Sequence, residues 1–144
     1  PVTADDPSVL AGRRVIAIED GPTLTHGGAT VGAAVIAARA AGAELVDPRP
    51  FLVGELVDAF RRYPDLGPLL PAMGYGEAQI HDLGATLRRA SEGGVEAIAI
   101  GTPIDLAGLI EIPLPHTRVR YELEVLGDPG LEAALRPILE TAVP

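Results

Sequence analysis

Apolar residues in this chain fall into short runs, and amphipathic stretches separate them. Residues 14–18 (RVIAI) form the first run, and residues 43–46, 69–70, 95–100 and 117–123 supply four more. Each of the first four empties into a loop rich in Gly, Pro or Asp. Between the runs, apolar positions recur at helical spacing, which predicts helices over 29–41, 55–63, 77–90, 106–110 and 131–141. Strands alternating with helices imply right-handed crossovers and a sheet covered on both faces. The pattern therefore predicts an α/β fold: a three-layer, Rossmann-like domain with a mainly parallel sheet of about five strands. In the last run Arg118 and Arg120 alternate with Val119 and Tyr121. A strand buried on both faces does not accommodate arginine, so this one is expected at an edge or in an interface. Residues 1–12 show no periodicity and are expected as a lead-in or linker, leaving 13–144 as a single α/β domain.

Composition narrows the class. A chain of 144 residues fits one domain, and 47% hydrophobic residues are ample for one core. That core is built from Ala, Val, Ile and Leu, with two Phe, three Tyr and no Trp. No apolar run approaches the roughly 20 residues of a membrane span. The chain is expected to be cytoplasmic, without membrane or nucleic-acid partners, because its net charge of −9 repels phosphate backbones. Cysteine is absent, which excludes disulfides, thiolate metal sites and cysteine nucleophiles. Every one of the 11 basic residues is arginine. A phosphate-binding loop ending in Gly-Lys-Ser/Thr and a lysine Schiff base are therefore excluded as well.

Chemistry gathers where the strands end. In a parallel sheet all carboxyl ends lie on one edge, so the loops that leave them converge. The richest is Glu19-Asp20-Gly21-Pro22-Thr23-Leu24-Thr25-His26-Gly27-Gly28. Thr23, Thr25 and the amides of Gly27 and Gly28 read either as an anion cradle at a helix start or as ordinary capping. His26 has the pKa range for proton transfer or phosphate binding. Glu19 and Asp20 read as carriers of a phosphate-bound Mg²⁺ or as a capping acid pair. Arg49 is held between Pro48 and Pro50, which suits a guanidinium offered to phosphate or carboxylate, or a structural ion pair with Asp47. Gly74 and Tyr75 open a turn before a helix, with Tyr75 expected to cover a pocket or a subunit contact. Thr102 leaves the fourth run, and Asp105 is expected to cap the 106–110 helix. His81 and His116 lack such context, and no His pair has metal-ligand spacing, so no tight transition-metal site is expected and no residue is assigned as a metal ligand.

Five blocks carry a family resemblance: EDGPTLTHGG at 19–28, VDPRPFLVG at 46–54, RRYPDLGPLLPAMGYG at 61–76, GTPIDL at 101–106 and RVRYELE at 118–124. In this order they resemble the carboxy-terminal part of cyclic 2,3-diphosphoglycerate synthetase and its GTPase-like relatives. In that family a P-loop nucleotide-binding domain precedes this region. The resemblance implies the C-terminal, substrate-positioning part of a longer P-loop NTPase, an ATP- or GTP-dependent ligase or cyclase acting on a phosphorylated small molecule. It implies no cofactor within this chain, but Mg²⁺ with ATP or GTP in the parent. The N-terminal nucleotide-binding domain and a second copy of the protein are the partners it implies. With the loop chemistry, it makes His26 and Arg49 the expected catalytic residues. Glu19, Asp20, Thr23, Thr25, Gly27, Gly28, Gly74, Tyr75 and Thr102 are then expected to bind substrate. The sequence departs from the family pattern at Ala29-Thr30-Val31, where many relatives carry Met and an aromatic residue. A structural or oligomerisation module with no catalytic role is the alternative reading.

Overall fold

A computed structural model describes residues 1–20, 32–72 and 74–121. Among the described residues there are six strands: β1 (Val2–Ala4), β2 (Arg14–Asp20), β3 (Glu44–Leu45), β4 (Leu69–Ala72), β5 (Ala97–Ile100) and β6 (His116–Tyr121). Three helices accompany them: α1 (Ala33–Ala40), α2 (Glu55–Arg62) and α3 (Glu77–Glu92). The sheet runs β1-β6-β5-β2-β3, with β4 also pairing β2, and among the described strands only the β1–β6 pair is antiparallel. The fold is α/β and Rossmann-like, with a mostly parallel sheet.

Register explains the packing. Val15, Ile16, Ala17 and Ile18 of β2 stand beside Ala97, Ile98, Ala99 and Ile100 of β5. Alternation therefore sorts isoleucines onto one face and mostly alanines onto the other. The small face lets α1 approach closely, and α1 answers with buried Ala34, Val35, Ala37 and Ala38. The link from β2 through α1 leads to β3 on one side. The link from β4 through α3 crosses back to β5 on the other, so right-handed crossovers put α1 and α3 on opposite faces. Both faces are thereby covered, which is why β2 is continuously apolar from Val15 to Ile18 instead of alternating. Among the described residues no helix is long and apolar enough to cross a membrane.

Three expectations are corrected. Residues 1–12 are no featureless lead-in: β1 pairs with β6, a 3-10 turn covers Pro7–Val9, and Leu10 is fully buried. A three-residue strand is too short to show a period, and its partner lies at the far end of the described sequence. β6 is not an edge strand, because β1 lies outside it. It tolerates arginine because Thr117 and Val119 face inward while Arg118 and Arg120 face outward. The helix expected over 106–110 is a 3-10 turn, Leu106–Gly108, in which Asp105 takes the cap position without a side-chain cap bond. Helix 131–141 and the start of helix 29–41 lie outside the described residues.

Candidate functional site

β2 and β5 are neighbours whose chains leave in opposite directions, β2 toward β3 and β5 toward β6. This reversal opens a crevice at the carboxyl edge of a parallel sheet, the usual place for a ligand in such folds. Glu19 sits at its floor. It is on the same face as Val15 and Ala17, turned toward α1, and only 3% exposed. The Val35 N–H donates to Glu19 Oε1 at 2.9 Å. Gly32 is the N-cap of α1 and has no side chain to cap with, so the Glu19 carboxylate serves the helix start from the neighbouring strand. A Cβ at Gly32 or Gly101 would run into that carboxylate. Burial pushes the Glu19 carboxyl above its ordinary 4.5, while backbone N–H bonds from Val35, Ala34 and Gly32 oppose the rise.

Above Glu19 lies an open cavity of about 350 Å³, whose described walls include Asp20, Gly32, Ile36, Gly101, Pro103 and Tyr121. Ile36 and Tyr121 are 47% and 69% exposed, so the rim is apolar and the floor acidic. A second compartment of about 400 Å³ adjoins it across Gly101, Pro103 and Tyr121, and is lined by Arg118 and Arg120. Each compartment is within the range of small-molecule sites. Arg118 Nη2 donates to the Pro103 carbonyl at 3.0 Å. Arg120 holds Asp5 through two bonds, of 2.9 and 3.1 Å.

The loops after β4 and β5 meet across the end of β2. Tyr75 and the buried Thr102 share a hydrogen bond of 2.7 Å, joining the two strands that flank β2. Glu19, Asp20, Tyr75 and Thr102 are thus brought to one edge. Gly74 borders a separate, much smaller cavity beside Glu55, Pro71 and Asp82. Arg49 is engaged elsewhere: it donates to Asp47 Oδ1 and to the carbonyls of Pro64 and Leu66, and stands 4.9 Å over the Phe60 ring. Its geometry is that of a structural ion pair, and among the described residues it lines neither compartment. Thr23, Thr25, His26, Gly27 and Gly28 lie outside the described residues. His81 is 3.4 Å from Asp82 Oδ1, and His116 Nδ1 is 3.1 Å from the Leu114 carbonyl, both on the surface. Among the described residues no three His, Asp or Glu side chains are grouped as a metal site. Sequence reasoning missed Gly32, Ile36 and the contribution of Val2 to the cavity wall. Only the helical spacing of Ile36 pointed outward; nothing local marked the other two.

No family model and no solved structure matches the chain. Among curated proteins it is similar to arginine synthetase ArcE of Thermococcus kodakarensis, with 45% identity over 136 residues. The match covers 94% of this chain but 30% of that protein. Nearly the whole chain, switch-point crevice included, is therefore similar to one stretch of a longer protein named as a synthetase.

Proposed function

We propose that this chain is the substrate-positioning domain of a nucleotide-dependent synthetase, and that its small-molecule ligand enters the crevice between the ends of β2 and β5. One observation carries the reading: a buried carboxylate and an open, apolar-rimmed cavity meet at the reversal point of the sheet. Similarity to an arginine synthetase supports it and suggests the ligand class, a compound with a guanidinium or related planar N–H-rich end. On this reading Asp20, which lines the cavity, accepts such a group, Glu19 below adds negative potential, and Ile36 and Tyr121 receive the carbon stem. ATP or GTP with Mg²⁺, held by another part of the parent, supplies the phosphoryl chemistry that drives bond formation. Within this chain Tyr75 and Thr102 fix the loops, and His26, on the segment after β2, is the proton-transfer candidate. The bonds of Arg49 to Asp47, Pro64 and Leu66 favour a structural role for it.

The resemblance to cyclic 2,3-diphosphoglycerate synthetase leads to a second reading, a phosphorylated small molecule, which the arginines of the adjoining compartment favour. Calorimetric titration separates these readings. The chain is expected to bind L-arginine, and Asp20→Asn to weaken binding about tenfold or more, the usual loss of a charge-assisted bond. Heat with 2,3-diphosphoglycerate and none with arginine selects the second reading. No heat with either, together with a stable dimer in light scattering, selects an oligomerisation module.

A further inference from the structure

The two compartments of the mouth carry opposite charge, and we infer that the one beyond Pro103 is a carboxylate subsite: Arg118 receives the α-carboxylate of an amino-acid ligand whose cationic side chain lies against Asp20. This rests on the proposed arginine-like ligand and extends it to how that ligand is oriented. The two compartments share Gly101, Pro103 and Tyr121, so they adjoin at the end of β5. Register sets the distance. Ile18 of β2 is level with Ile100 of β5, which is level with Arg118 of β6. Arg118 therefore stands two strand spacings from β2, about 10 Å. Asp20 is two residues beyond Ile18, which lengthens its separation from Arg118 to about 12 Å. Extended arginine separates its carboxylate and guanidinium carbons by six bonds, about 7 Å, and a hydrogen bond of about 3 Å at each end brings the span to about 13 Å.

The arginines of this compartment are not equivalent. Arg120 is matched by Asp5 in a two-bond pair, whereas Arg118 is steadied by the neutral Pro103 carbonyl, so its positive charge is retained. Asp20 and Arg118 are on the same face of the sheet, since Ile18 and Arg118 are level and Asp20 is two positions beyond Ile18. Among the described residues Arg118 is the one cation of this compartment without a carboxylate partner, and in a chain of net charge −9 that suits a singly charged carboxylate better than a phosphate dianion.

The test is calorimetric titration of the chain and of Arg118→Gln with three probes. These are L-arginine, agmatine (the same guanidinium chain without the carboxylate) and inorganic phosphate. Arg118 is exposed, and circular dichroism checks that the variant folds. R118Q is expected to weaken arginine about tenfold and to leave agmatine within about twofold. Arg118→Lys is expected to recover part of the loss. Equal weakening of both guanidinium probes, or no change in either, overturns the inference. So does phosphate binding that depends on Arg118 while arginine binding does not. If wild-type protein binds neither arginine nor agmatine, the underlying reading fails instead, and the subsite goes with it.

Discussion

Glu19 shows how one side chain can serve structure and site together. Its carboxylate holds the start of α1 through Val35 and forms the floor of the cavity, in a space that two glycines keep open. A carboxyl whose folded value is raised gives the fold an advantage that is complete below its unfolded value of 4.5. That advantage disappears as pH climbs through the elevated folded value. Relative to Glu19→Gln, which does not titrate, the wild type should therefore lose stability across that interval. Urea unfolding of both proteins at about pH 4 and about pH 8 measures the change. A difference independent of pH would remove burial as the cause of the shift. Arg49 makes the opposite case, a residue whose sequence setting suggested ligand binding and whose contacts are structural. Arg49→Ala should cost about 1–3 kcal/mol of stability, the range for losing charge-assisted bonds, and leave arginine affinity unchanged. Weaker binding at unchanged stability would return Arg49 to the site. Two prolines made its backbone rigidity legible in the sequence, but the carbonyls of Pro64 and Leu66 are 15 and 17 residues away, and no local pattern announces them.

Elements were legible in proportion to how much of their cause is local. The strand positions of β2, β4 and β5 follow from apolar runs buried on both faces, with Glu19 near the end of β2 the one buried polar residue in these three strands. Helices α2 and α3 follow from spacing, and α3 outlasts its expected end by two residues, stopping where Gly93 follows. β1 and the internal position of β6 were not legible, because pairing between residues 2–4 and 119–121 is settled only by the assembled sheet. The start of α2 is similarly non-local. Asp82 of α3 accepts the Glu55 N–H at 3.0 Å, and Gly54, at φ 58, leaves room for that carboxylate. Asp82→Ala should cost about 1 kcal/mol, the usual value of a lost helix cap. Thermal unfolding reads it, and an unchanged midpoint would mean that water replaces the cap at no cost.

At the scale of the whole molecule, the convergence of strand exits was legible because it follows from parallel topology alone. Glu19, Asp20, Tyr75 and Thr102 meet as that rule requires. The charge division between compartments was not legible, since it depends on β6 being flanked by β1 and on the register that sets Arg118 level with Ile100. The Tyr75–Thr102 bond joins both halves of the sheet over β2, so Tyr75→Phe should cost about 1 kcal/mol and loosen the mouth. Amide exchange at the exits of β4 and β5 is expected to rise together in that variant, and a rise confined to the Tyr75 loop would leave the halves uncoupled. Val2 pairs with Tyr121 and lines the cavity, so the start of β1 stands on its threshold. A fluorophore carried on Pro1→Cys would consequently report occupancy from the doorstep, and a bulky group there would obstruct it.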